Sequence, residues 1–290
     1  MSDALTTRRS SAPDTHRDGG SRLPARVAAG WLGVAGLVAT VAVWWAAIHG
    51  LTEPGSLGRQ FAPDRAFASL RSLCADDHLV EHALVSLRRI GVGLGAALLA
   101  GVPLGLLIGR VQWVERMLSP TFQFLRMVSP LSWMPLAVMS FGIGDRAIYF
   151  LLGFAALWPV LMSTAAGVMQ IDRRWLQLGA SLAATRRELL VHIVLPAIAG
   201  PLLNGIRLAI GILWIVLVPA EMLGVNAGLG YLILDTRDRL AYAELTAVIV
   251  VIGALGFTLD GIARLFTRAL LASAFAARRF LPEKLSRLRQ

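Results

Sequence analysis

Cysteine is all but missing: Cys74 is the only one in 290 residues. A lone thiol closes no intrachain disulfide and builds no cysteine zinc site, so packing alone must hold the fold. Charge is scarce as well. Asp, Glu, Lys and Arg make up 16% of the chain, against 56% for the A, V, I, L, M, F, W, Y and C classes, which is too apolar for an ordinary soluble domain. No glycine-rich phosphate loop of the form G-x-x-x-x-G-K-[ST] occurs, so the chain does not hydrolyse ATP by that route. Gly91, Gly93 and Gly95 follow no strand and therefore do not make a dinucleotide loop. The net charge of +10 does not imply nucleic acid, because Lys and Arg flank apolar stretches instead of gathering on one soluble basic face.

Long apolar runs are what the chain has in abundance. Residues 1–26 have the Ser, Thr, Asp and Arg content of a disordered tail, and Arg8 and Arg9 stand too far from the first apolar run for a twin-arginine signal. The run at 27–48 exceeds the 7 to 15 residues of a cleavable signal core. It predicts an uncleaved first transmembrane helix over 27–49, with Trp44 and Trp45 at a membrane interface. An extracytoplasmic segment over 50–83 follows. Further runs at 90–108, 122–141, 147–169, 202–223 and 245–266 each approach the roughly 20 residues that cross a bilayer. The expectation is an all-α integral membrane protein with about six transmembrane helices.

Counting Lys and Arg along an alternating six-helix path places 18 on the side of the amino terminus and 8 on the other. Basic residues collect on the cytoplasmic side, which predicts that both termini are cytoplasmic, with 269–290 as a basic tail attracted to anionic lipid. Glycines recur at four-residue intervals, as Gly91 and Gly95 and then Gly101, Gly105 and Gly109. Such spacing strips one helix face of side chains and admits a neighbouring backbone. Tight packing within one subunit is the favoured reading, with a dimer seam as the other.

The segment over 170–201 is basic, amphipathic and long for a connection between spans. Trp175, Leu178 and Leu182 share one helical face, Leu189, Leu190 and Ile193 another, and Arg186, Arg187 and Glu188 mark the bend. A helix lying on anionic lipid would have the same character. From Gln177 it reads QLGASLAATRRELLVHIVLP, which resembles the EAA loop of binding-protein-dependent ABC importer permeases. Ile193, Leu195 and Pro196 match the close of that pattern. Gln177 stands where the family has Glu, Leu178 and Gly179 replace its two alanines, and Ala183 replaces its glycine. Alanine resists the positive φ that glycine accepts, which predicts a reshaped bend.

Two longer blocks widen the resemblance toward the branch that handles nitrate, sulfonates, taurine and bicarbonate. SPLSWMPLAVMSFGIGD, over 129–145, is similar to that branch's third span, and AEMLGVNAGLGYLI, over 220–233, to its segment after the fifth. The likeness covers about 84–268. It implies a type I ABC importer permease-like fold in the inner membrane, neither an enzyme nor a holder of cofactors. It implies two copies of an ATP-binding subunit, docked on the loop through Gln177, Leu178, Gly179, Leu182, Ala183, Ile193, Leu195 and Pro196. A periplasmic or lipid-anchored solute-binding protein, a second permease copy and membrane lipid complete the expected partners, and the cargo would be a small anion such as a sulfonate, taurine or nitrate.

Candidate residues for the translocation path follow from the same blocks and from charge. Pro130 and Pro135 break helical hydrogen bonding around Trp133, which a membrane tolerates where freed carbonyls line a cavity or meet polar groups. Gly224, Gly228 and Gly230 would let the chain fold back. Arg126, Arg207, Glu221 and Asp260 lie in or near spans, where charge faces partners or water. Arg207 and Glu221 are about four turns apart, too distant to pair with each other, so each requires another partner. Interhelical pairing or snorkelling is the favoured reading of Arg126 and Arg207, with a field suited to anions along a path as the other. Two rival readings remain. His78, Glu81 and His82 match the H-x-x-E-H pattern of zinc peptidases, which would also need a third ligand and an open position. An ion-coupled secondary transporter would use intramembrane acids such as Glu221 and Asp260.

Overall fold

The computed structural model describes residues 22–53, 55–75 and 78–279, and among them there is helix and no strand. The expected tail over 1–26 lies mostly outside this range. Helix α1 (Arg22–Leu51) leads through a 3-10 turn, Leu57–Phe61, to α2 (Pro63–Ala75) and the long α3 (His78–Arg110). The amphipathic α4 (Gln112–Met127) is followed by a 3-10 turn, Pro130–Trp133, and by α5 (Met134–Phe141) and α6 (Asp145–Met169). Then come α7 (Arg173–Ser181), α8 (Arg186–Leu189), a π turn over Leu190–Val194, α9 (Leu195–Met222), α10 (Leu229–Asp238) and α11 (Tyr242–Arg279). The expected boundaries at 26/27, 83/84 and 268/269 all fall inside helices.

Among the described residues five helices are long and apolar enough to cross a membrane, and a sixth crossing is reached if a bent pair is counted as one. That pair is the predicted third span. It comprises Trp113–Met127 and Pro130–Phe141, set at 89°. The break has a local cause: proline disfavours the helical region for the residue before it, and Ser129, before Pro130, is at ψ 129°.

Helix α6 forms the centre, packed between α3 and α9. Over its apolar window 56% is buried, whereas the window of α1 within Trp31–Leu51 buries none and leans on the segment around α2. The approach of α3 to α6 depends on three of the regularly spaced glycines. A Cβ on Gly101 would lie 3.0 Å from Val160 Cγ1, one on Gly105 2.7 Å from the Leu161 carbonyl oxygen, and one on Gly109 2.7 Å from that of Ala165. These three are an intrachain seam. Gly91 and Gly95 face open space instead, so the periodic series divides between two environments. Because Gly109 meets Ala165 and Val168, α3 ends beside the Met169 end of α6, the same end at which α7 begins.

Candidate functional site

The segment after α6 is two short helices folded against each other. Asp172 caps α7 by accepting from the Arg174 N–H at 2.9 Å, and Gly179 is its buried position. A Cβ there would stand 2.8 Å from Leu189 Cδ2 and 3.1 Å from Ile193 Cδ1, so α7 lies closely on the α8 turn and the π segment. On the adjoining face Trp175 is 59% exposed, Leu178 50% and Leu182 73%. Thr185 and Glu188 form a reciprocal capping box that starts α8, which satisfies N–H groups that the first turn cannot pair internally.

Ala183 does not reshape the bend. Its φ is +52°, the left-handed value that glycine favours. The Ala184 N–H donates to Gly179 and the Ala183 N–H to Ala180, both at 3.0 Å, which is the paired closure of a helix with a left-handed residue after its cap. The bend keeps its glycine geometry, and alanine bears a strain of about 1–2 kcal/mol. Gln177 is exposed on α7, while Ile193 is half-buried and Leu195 and Pro196 open α9 at its exposed end.

The broken span is fixed to α6 by a ladder of rings. Phe150, Phe154 and Trp158 recur every fourth residue on α6. Phe141 lies 5.4 Å from Phe150, Trp133 5.3 Å from Phe154, and Phe122 5.8 Å from Trp158, centroid to centroid. Trp133 therefore sits at the break, with Pro130 first in the 3-10 turn and Pro135 in the first turn of α5. Arg126 is elsewhere: it is exposed on α4 and donates to Gln123 at 3.1 Å.

The remaining charged candidates find the partners they require. Arg207 on α9 donates through Nε to Asp260 on α11 at 2.9 Å. Glu221 is fully buried at the other end of α9, with Arg89 Nη1 2.7 Å from its Oε1. Arg89 is itself only 2% exposed, and its Nη2 lies 2.6 Å from Asp145 Oδ1. Ser86 donates to both Glu221 oxygens and accepts from the Leu229 N–H, while the Gly230 N–H donates to Glu221 Oε2. Gly228 begins α10 at φ +116°, and a Cβ there would meet Arg89 Nη1 and Glu221 Oε1 at 2.5 Å, so only glycine fits. The chain thus folds back where the three glycines predicted, onto a cluster joining α3, α6, α9 and α10. Along α6 this cluster is about 36 Å from α7.

Arg89 is not among the residues that the sequence singles out. Its signal was present, since His82, Ser86 and Arg89 are four and three residues apart and share one helical face. His82 accepts the Gly228 N–H through Nδ1 at 2.9 Å, which commits one ring nitrogen to holding the fold-back. No group of three or more His, Cys, Asp or Glu suited to a metal occurs among the described residues.

Comparison with known proteins agrees with this geometry. A family model described as the binding-protein-dependent transport system inner membrane component matches residues 101–272. The chain is 34% identical over 187 residues to the bicarbonate transport system permease protein CmpB of Synechococcus elongatus, covering 64% of this chain and 67% of that one. It is 32% identical over 235 residues to the taurine transport system permease protein TauC of Escherichia coli, covering 79% and 84% respectively. Among solved structures, an inward-facing conformation of the MetNI methionine ABC transporter superposes with a TM-score of 0.55 over 66% of this chain and 95% of that one. At 17% identity that likeness concerns the fold.

Proposed function

Because the chain belongs to the family of binding-protein-dependent transport system inner membrane components, and so is the multi-pass permease subunit of an ABC importer, we propose that its cargo is a small oxyanion of the bicarbonate, nitrate or sulfonate kind. The chain is not an enzyme, and a separate ATPase and a solute-binding protein are its partners. The bicarbonate and taurine permeases among its relatives support the choice of cargo. Neither the peptidase reading nor the secondary-transporter reading is favoured.

One observation carries the coupling role of α7: Trp175, Leu178 and Leu182 form an uncovered apolar face on a short capped helix outside the bundle. Large apolar side chains gathered on an exposed face mark an interaction surface. In this reading each of two permease copies presents α7 to one of two ATP-binding subunits. Closure of the ATPases pushes α7, and the close contact of Gly179 with Leu189 and Ile193 passes the push through the π turn into α9. The basic side, both termini and α7 then lie in the cytoplasm, and the solute-binding protein docks at the end where Arg89 holds Glu221. Gln177, Leu178, Gly179, Leu182, Ala183, Ile193, Leu195 and Pro196 belong to the coupling element, and Pro130, Trp133, Pro135 and Arg207 to the path.

The test is co-purification from the native host followed by uptake in vesicles. Wild-type chain retains an ATP-binding subunit and Leu182→Asp loses it while staying folded. Vesicles with the complete complex take up labelled bicarbonate, nitrate, taurine or methanesulfonate only with ATP and the binding protein. Uptake of none of the four would overturn the anion cargo, and a chain that purifies alone would overturn the coupling role of α7.

A further inference from the structure

Two of the long helices carry charge inside their expected spans. Arg207 is twelve residues from the start of α9 at Leu195 and fifteen from its end at Met222, roughly 18 and 22 Å along the axis. Arg207 lies five residues inside the expected span over 202–223, and Asp260 and Arg264 accompany it from the span over 245–266. Across from it on α11, Asp260 Oδ1 accepts from Arg207 Nε at 2.9 Å, and its Oδ2 lies 3.1 Å from Arg264 Nη1. The three side chains are 41%, 37% and 36% exposed. Charge within a span faces water or protein, not lipid. Asn204, one turn before Arg207, is exposed beside it and extends the polar face.

The composition of the cluster separates a structural pair from a binding site. One Arg and one Asp would make a neutral pair. Here two guanidinium groups share one carboxylate, so a positive charge is left over. Among the described residues Arg207 engages Asp260 through Nε, which leaves the Nη fork that matches the oxygens of carboxylate, sulfonate or nitrate. An ion in transit must be held well enough to enter and weakly enough to leave. A resident carboxylate competing for the same guanidinium meets that requirement.

We infer that Arg207, Asp260 and Arg264 form an anion station inside the transport path: Asp260 occupies Arg207 while the path is empty, and a passing oxyanion takes its place. The inference rests on the importer reading and deepens it by naming the groups that meet the cargo's negative charge.

The test uses membranes containing the full chain with its ATP-binding subunit. Cys74→Ser removes the native thiol and Asn204→Cys places a reporter one turn from Arg207. Modification rates are measured for the anionic 2-sulfonatoethyl and the cationic 2-(trimethylammonio)ethyl methanethiosulfonates, each divided by its rate with free mercaptoethanol, with and without ATP. One excess charge at about 6 Å in water alters the local concentration of each reagent about threefold in opposite directions, so the anionic reagent should lead by about tenfold. Arg207→Gln should erase that preference and Asp260→Asn should enlarge it, and the reporter in the otherwise unaltered cluster decides the matter if either variant fails to fold. Equal normalised rates, a cationic preference, or no reaction with either reagent while Cys74 of the wild-type chain reacts in parallel would each overturn the station. Retention of the ATP-binding subunit by the wild-type chain tests the importer reading separately.

Discussion

Arg89 and Glu221 are 132 residues apart in sequence and 2.7 Å apart in space, and both are shut away from solvent. Four helices meet at this contact, so it decides how the bundle closes at the end opposite α7. Removing one partner of a buried pair leaves the other charged and desolvated, at a cost of about 3–5 kcal/mol. Arg89→Leu should therefore lower the melting temperature of the detergent-purified chain sharply. Glu221→Gln, which keeps shape and part of the hydrogen bonding, should lower it less. Equal, small effects from both would mean the cluster contributes little.

Ala183→Gly should stabilise the α7 bend. The backbone already occupies φ +52°, and relieving the Cβ strain, less the extra freedom glycine gives the unfolded chain, is worth about 1 kcal/mol. Amide hydrogen exchange at 182–184 should slow by roughly fivefold, since 1.4 kcal/mol corresponds to tenfold. Faster exchange would show that alanine suits the turn.

The divided glycine series predicts unequal tolerance. Gly105→Ala drives a Cβ to 2.7 Å from the Leu161 carbonyl oxygen, and overpacking of this kind costs about 1–3 kcal/mol. Gly95→Ala meets nothing within 4 Å and should not lower the single chain's melting temperature, since alanine favours a helix interior over glycine by up to about 1 kcal/mol. If Gly95→Ala instead weakens association between two tagged copies, that face is where a second permease packs.

Thr185→Ala removes the hydroxyl that accepts the Glu188 N–H at 3.3 Å and frees the Glu188 carboxylate from its bond to the same hydroxyl at 2.9 Å. The α8 turn should fray, with faster hydrogen exchange over 186–194. Solute-stimulated ATPase activity should fall relative to the basal rate, because the loosened turn passes less of the ATPase motion to α9. An unchanged ratio of stimulated to basal activity would free the capping box of any coupling role.

The membrane class, the approximate number of crossings, the amphipathic segment over 170–201 and the break at Pro130 were all legible along the chain. Each depends on neighbours in sequence: apolar length against bilayer thickness, helical periodicity, and the steric reach of proline over the residue before it. Trp175, Leu178 and Leu182 could be assigned to one face for the same reason, and the structure leaves that face bare.

Pairing across the bundle was not legible. That Glu221 answers to Arg89, and Arg207 to Asp260, depends on how α3, α9 and α11 rotate about their axes, which is settled by side chains meeting across α6 and by no local pattern. The same holds for the glycines, where one spacing serves a tight seam at Gly105 and open space at Gly95. Ala183 shows the reverse order of control: its own preference opposes a positive φ, and the packing of α7 on Leu189 and Ile193 imposes one. Local chemistry chose the helices and their breaks, while burial of faces distant in sequence chose their partners, because a contact's energy belongs to two surfaces and the chain order specifies one at a time.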